Sequence, residues 1–254
     1  MKTDIIAEQK IFNEEIIEWK ETISTPRYKY LVEKVREILR EQGISDKRIL
    51  ELGCGISPYL GEMKAKEKWG LDISQELLNK NNPEDANFIK GNILRCSNLF
   101  DKKKFDFIFM VGVLHHINEE EHEIVIKEIK KLLKKDGRLL IIEPNMQSLT
   151  IVYYNLRKLI EKISKPLIKK IIGFSSEEEK YIYPKKLRKI LLKNGFLLEK
   201  EYTFQTIRLP PLKFVKKVNI EKINEKMDNL IKNHGTVVVF LSKYISSLNM
   251  VKDY

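Results

Sequence analysis

The sequence is poor in cysteine: Cys54 and Cys96 are the only two among 254 residues. Two thiols build neither a disulfide framework nor a zinc cage, so the expectation is a reducing, cytoplasmic setting with no bound metal. Long apolar runs are missing as well. No stretch approaches the roughly 18 uncharged apolar residues of a membrane-crossing helix. The opening MKTDIIAEQKIFNEEIIEWKE is acidic and polar where a secretory signal would be basic and then apolar. Repeats and low-complexity tracts are absent beyond a general abundance of Lys and Ile. What is there, a 43% hydrophobic content over this length, suffices for a single domain with a sizeable core.

Charge is distributed unevenly along the chain. Residues 1–145 carry 25 Lys and Arg against 26 Asp and Glu, whereas residues 146–254 carry 22 against 10, so the whole excess of +11 lies in the last part. Such a basic region suits an acidic partner: nucleic acid, anionic lipid headgroups or a phosphorylated substrate. It reads equally well as a solvated Lys-rich surface.

Apolar periodicity divides the chain into alternating helices and short buried strands. Helices are expected over 8–22 and from Pro26 to Gly43. RILELG (48–53) is a strand, followed by a helix over 58–66 that Pro58 opens with Ser57 as its N-cap. WGLDIS (69–74), a helix near 75–80, ANFIKGN (86–92), FDFIFMV (105–111), a helix over 119–135 and RLLIIEP (138–144) continue the alternation. A basic amphipathic segment at 150–174 interrupts it, with a kink expected at Pro166. The chain then resumes with a helix over 184–195, a strand over 196–202, a Pro210-Pro211 loop, a helix near 218–232 and a last strand over 236–243. Strands alternating with helices in this way imply right-handed crossovers and a parallel sheet covered on both faces.

Three local patterns carry chemistry. Glu51-Leu52-Gly53-Cys54-Gly55 ends the first strand with glycines, which let the backbone turn sharply and come close to a ligand. Dinucleotide-binding proteins place a third glycine where Pro58 stands here, which argues against a pyrophosphate ligand. Asp72, at the end of the second strand, is placed to accept both hydroxyls of a ribose. Asn92, at the end of the third, has an amide that can pair with an adenine edge, or serves simply as a turn residue after Gly91.

Taken in order and spacing, ILELGCGISPYL (49–60), WGLDIS (69–74), FIKGNIL (88–94), FDFIFMVGVLHHI (105–117) and LKKDGRLLIIEPN (133–145) resemble the class I S-adenosylmethionine-dependent methyltransferases, within their small-molecule and lipid group. YIYPKKLRKILLKNGFLLEKEY (181–202) and GTVVVFLSKY (235–244) look like the closing helix and strands of that family. The resemblance implies an α/β, Rossmann-like sheet of seven strands, mostly parallel with an antiparallel last strand, and S-adenosylmethionine as cofactor. It further implies that Glu51, Gly53, Cys54 and Gly55 line the methionine part, that Asp72 and Ile73 hold the ribose, that Asn92 and the backbone of Ile93 meet the adenine, and that the backbone near Val111 faces the cofactor's amino group. Ser57 stands where the family commonly has a third glycine. On this reading 1–254 is one methyltransferase domain: N-terminal helices (1–43), a cofactor-binding core (44–145), a basic helical lid (146–183) and the rest of the sheet with a helical insertion (184–254).

The acceptor is less legible. His115 and His116 follow the fourth strand at the mouth of the implied pocket, where a histidine can act as a base, His115 being the better placed; one of the pair is a packing residue in the family pattern. Carboxylates that hold Mg²⁺ in one branch of the family are replaced by Gly112 and His115. An Asn-Pro-Pro-Tyr-like segment and a nucleophilic cysteine, marks of two kinds of base methylation, are both missing from MVGVLHHI. The expected partner is therefore a small-molecule or lipid-like methyl acceptor. The basic 150–174 segment would cover it or rest peripherally on an anionic membrane, and a second lid would bring Trp19, Arg27, Tyr28 and Tyr30 toward the cofactor. Two alternatives stay open: an RNA- or other nucleic-acid-directed enzyme using the basic region, and a non-catalytic binding protein on the same fold.

Overall fold

In a computed structural model of the chain, residues 26–100, 104–145, 182–204 and 235–245 are described. The expected helices over 8–22 and 218–232, the basic 150–174 segment, the Pro210-Pro211 loop and Trp19 lie outside them, as does the Arg27 side chain.

Seven strands form one sheet: β1 (Arg48–Leu52), β2 (Glu67–Asp72), β3 (Asn87–Lys90), β4 (Phe105–Val111), β5 (Leu133–Pro144), β6 (Phe196–Phe204) and β7 (Val237–Tyr244). Their order is β3-β2-β1-β4-β5-β7-β6. The first five run parallel, and β7 lies antiparallel to both β5 and β6. The expected mostly parallel sheet with an antiparallel last strand is therefore present.

The central strands are buried on both faces because their sequences are nearly continuous apolar runs. Side chains alternate with a period of two. Leu139 and Ile141 of β5 join a core with α3 (His122–Leu132) and α4 (Pro184–Lys193), through Val125, Ile126, Ile129, Leu187 and Leu191. Leu140 and Ile142 face the opposite way, toward α1 (Pro26–Arg40), whose Tyr30, Val35, Ile38 and Leu39 make one apolar stripe. Gly43, at φ +60, follows that helix where a stop was expected.

Two expected helices differ from what forms. Over 58–66 there is a single turn. Ser57 does behave as a cap, its Oγ accepting from the N–H groups of Tyr59 (3.2 Å) and Leu60 (3.1 Å). The Pro58 carbonyl, however, is taken by the Arg36 guanidinium, at 2.9 Å from Nη2 and 3.3 Å from Nε, and Glu62 N–H turns instead to Tyr59 O at 3.1 Å. A long-range side chain thus occupies the acceptor that a second helical turn would need. The helix expected to reach residue 135 stops at Leu132, because Leu133 already pairs with Phe105 of β4 and opens β5.

Candidate active site

The parallel strands all present their carboxyl ends at one edge, and the order reverses between β1 and β4, where α/β sheets open a crevice for ligands. Glu51 stands one residue before the end of β1, Asp72 at the end of β2, Val111 at the end of β4 and Glu143 one residue before the end of β5. Asn92 follows β3 by two residues and His115 follows β4 by four, so the topology gathers the expected residues along this edge.

The glycine turn after β1 is tightly held. Gly53 has φ +67, and a β-carbon there would come within 2.6 Å of the Val113 side chain, so the loop after β4 packs directly on it. The Gly53 and Cys54 N–H groups both donate to Leu71 O, at 2.7 and 3.0 Å. Gly55, at φ +50, sends its N–H to Asp72 Oδ2 at 2.8 Å, while Ser74 N–H donates to Oδ1 at 2.8 Å. Asp72 therefore ties the glycine turn to the start of α2 (Gln75–Leu78) through both carboxylate oxygens. Burial pushes its carboxyl up, against the pull of the backbone N–H groups. Ile73 is half-buried beside it, and the Cys54 thiol is buried against Gly70, which leaves backbone as what Cys54 can offer.

Glu51 is fully enclosed, and Ser57 Oγ–H donates to its Oε2 at 2.5 Å. Burial raises its carboxyl to about 8; the Ser57 bond opposes this and the Asp72 charge adds to it. No cation among the described residues pairs with Glu51. Tyr28 of α1 lies close enough for the Glu51 charge to reinforce the effect of burial, and its hydroxyl is pushed up to about 12. Of the expected N-terminal lid residues, Tyr28 thus approaches the site, whereas Tyr30 is core.

Asn92 is the N-cap of the 3-10 segment Ile93–Leu99: its Oδ1 accepts from Leu94 N–H at 2.8 Å, which leaves the Nδ2 group as the side chain's donor. Ile93 and Val111 are half-buried at the same edge.

His115 sits beside Gly112, with its Cε1 3.5 Å from where a β-carbon of Gly112 would be. His116 is exposed and its ring lies against that of His115, centroids 3.9 Å apart. Sequence reasoning missed the residues that hold this loop. Glu143, only 1% exposed, accepts at Oε1 from the N–H groups of Val113 and Leu114, both at 2.8 Å, and at Oε2 from His115 Nδ1 at 2.9 Å. His122 shares its Nε2–H between the carbonyls of Leu114 (2.9 Å) and Ile117 (3.1 Å). Asn81, also missed, donates to Gly55 O at 2.8 Å and accepts from Ser57 N–H at 2.8 Å. A charged residue inside an apolar strand end, as in IIEPN, was the available signal for Glu143; Asn81 gave none. Among the described residues no group of three or more His, Cys, Asp or Glu gathers as a metal site.

A glycine turn locked to an acidic residue at the end of the second strand, under a five-strand parallel core with an antiparallel closing strand, defines a nucleoside-binding α/β domain of the class I methyltransferase type. Comparison with known proteins gives a match over part of the chain: residues 50–141 match the family described as methyltransferase domain. It is 28% identical over 190 residues to the ubiquinone biosynthesis O-methyltransferase of Pelagibacter ubique, covering 68% of this chain and 73% of that one. With the probable tRNA methyltransferase 9B of Bos taurus it shares 31% identity over 112 residues, 42% of this chain and 23% of that protein. Against the first such relatives it spans about half of their length or less. The magnesium protoporphyrin IX methyltransferase of Synechocystis PCC 6803, solved with bound SAH, has the same fold at a TM-score of 0.62 and 14% identity, over 95% of this chain and 99% of that one.

The residues present fit S-adenosylmethionine. Its sulfonium and ammonium charges suit an enclosed Glu51 that has no cationic partner among the described residues, and Gly53 and Gly55, both left-handed, carry no β-carbon on either side of Cys54, whose own side chain is buried. Among the described residues, no helix is long and apolar enough to cross a membrane.

Proposed function

We propose that the protein transfers a methyl group from S-adenosylmethionine to a small-molecule or lipid-like acceptor by direct displacement, working as one methyltransferase domain. The observation that carries this is the Gly55–Asp72 lock beside an enclosed Glu51. S-adenosylmethionine would supply the electrophilic methyl group; the chain's own residues bind and orient. Glu51, with the backbone of Gly53, Cys54 and Gly55, holds the methionine part. Asp72 and Ile73 hold the ribose, Asn92 and Ile93 the adenine, and the backbone at Val111 the amino group. His115, with His116 against it, stands on the acceptor side of the crevice as the base. Much of the acceleration in such a displacement comes from alignment and from keeping water out.

The lipid-like side of the reading draws on the name of the Pelagibacter relative. A second reading, an RNA-directed methyltransferase, draws on the basic region after residue 145 and on the name of the bovine relative. Transfer of tritiated methyl groups into quinone-precursor phenols and into bulk tRNA, at low and high salt, separates the two. Incorporation into the phenols that salt leaves unchanged supports the first. Incorporation into tRNA that collapses with salt supports the second.

A further inference from the structure

The hydroxyl of Ser57 caps the turn after β1 on one side and touches Glu51 on the other. We infer that Ser57 is a positioning residue for the methionine end of the cofactor: its hydroxyl proton, given over to Glu51 Oε2, leaves Oε1 as the oxygen that meets the ligand's cationic group. The inference rests on the methyltransferase reading of the same site.

Three observations carry it. First, the hydroxyl has one direction in which to donate. Its oxygen accepts from two backbone N–H groups, Tyr59 at 3.2 Å and Leu60 at 3.1 Å, so the O–H points to Glu51 Oε2 at 2.5 Å. A proton on Oε2 would crowd two hydrogens between the same oxygens, and any proton that Glu51 carries therefore sits on Oε1. Second, Oε1 has no hydrogen-bond partner among the described residues, yet the sealed and unpartnered oxygen among them is Glu123 Oε1. Glu51 Oε1 thus keeps contact with solvent. Third, the serine is anchored from outside the site: its N–H donates to Asn81 Oδ1 at 2.8 Å, and Asn81 Nδ2 donates to Gly55 O at 2.8 Å.

The groups around Glu51 make this hydroxyl the contact that decides its charge. Burial and the Asp72 charge both disfavour the ionised form, and the Ser57 bond favours it. Tyr28 of α1, Tyr59 of the turn and the Cys54 thiol also face it, and burial with the Glu51 charge pushes all three up, so they stay neutral. Arg36 of α1 acts on the two tyrosines, but its guanidinium is taken by the Pro58 carbonyl, Glu33 and Glu62. A cation arriving at Oε1 displaces the proton there, while the Ser57 bond holds the carboxylate in one orientation. Glycine, which commonly stands at this place in the family that the sequence resembles, would offer Glu51 nothing.

The test is calorimetric titration of the full chain with S-adenosylhomocysteine from about pH 6 to about pH 10, spanning the ionisation of Glu51. Near neutral pH, Ser57→Ala should bind about tenfold more weakly than the parent. The deficit should close as the pH rises and Glu51 ionises in both proteins. The ligand's own ammonium titrates alike in each and cancels from the ratio. Ser57→Thr, which keeps the hydroxyl, should restore the parent profile. In a Glu51→Gln background, Ser57→Ala should cost less than about twofold.

A merely structural cap would give a deficit that is level across the pH range and persists in the Glu51→Gln background. That result, or equal affinity of Ser57→Ala and parent at every pH, would overturn the inference. Should Ser57→Ala fail to fold, proton spectra of the parent decide: the Ser57 hydroxyl proton should be protected from exchange and stay so when the ligand binds, and a freely exchanging hydroxyl overturns the inference. A parent that binds no S-adenosylhomocysteine at any pH would instead remove the methyltransferase reading beneath it.

Discussion

Asn81 donates from its side-chain amide to the carbonyl of Gly55 and accepts, through Oδ1, from the N–H of Ser57, both at 2.8 Å. One side chain just past α2 therefore braces the glycine turn that Asp72 grips from the other side through Gly55 N–H. A turn held at both its N–H and its carbonyl is already shaped before any ligand arrives, and that lowers the ordering cost of binding. Asn81→Ala removes the brace and leaves the glycines free to move. S-adenosylhomocysteine affinity, read by calorimetry, should fall by about 1–2 kcal/mol, whereas turnover at saturating donor should stay near that of the parent. An unchanged affinity would make Asn81 a folding residue only.

Asp72 is asked to do two things, to tie the loops and to hold the ribose. Asp72→Ala should weaken cofactor binding by roughly 1–3 kcal/mol and also lower thermal stability, because the Gly55 and Ser74 N–H groups lose their acceptor. A melting curve and a binding isotherm on the same sample separate the two losses. Lower stability with unaltered affinity would leave Asp72 as a loop tie alone.

Gly53 combines φ +67 with a β-carbon position 2.6 Å from Val113. Gly53→Ala should cost at least the roughly 1–2 kcal/mol of a left-handed non-glycine residue, plus the displacement of the β4 loop. Pairing it with Val113→Ala should recover the steric part and not the conformational part. Equal melting temperatures for the single and double variants would show that Val113 is not the obstacle.

The buried carboxyl of Glu51, raised to about 8, gives the protein a pH signature. Its folded value lies above the ordinary carboxylate value of 4.5. The folded state therefore binds the extra proton, and the stability this contributes is fully present below that value and is lost as the pH rises through about 8. Glu51→Gln should flatten the decline over that window. A cationic ligand reverses the preference, favouring the ionised form, so binding of S-adenosylmethionine near neutral pH should release a proton. Calorimetry in buffers of different ionisation enthalpy measures it.

Much of the architecture was legible because it depends on local pattern. The apolar runs of β1, β4 and β5, the stripe Tyr30, Val35 and Leu39 on α1, and the glycines at the end of β1 all state their structure in adjacent residues. What was not legible depends on contacts between distant residues. The turn at 58–62 does not extend into a helix because Arg36, 22 residues away, takes the Pro58 carbonyl. Helix α3 ends at Leu132 because Leu133 finds Phe105. Glu143 reads in sequence as a strand-end acid; only the folded chain shows it holding the N–H groups of a loop 30 residues earlier. Asn81 lies 26 residues from the glycine it braces.

The central claim is that the Gly53–Gly55 turn, Glu51 and Asp72 form a site for S-adenosylmethionine. Calorimetric titration of the full chain with S-adenosylmethionine, S-adenosylhomocysteine and NADH in parallel tests it most directly. The account predicts micromolar binding of the first two and none of the third. Silence from both adenosyl ligands, or binding of NADH in their place, would contradict it.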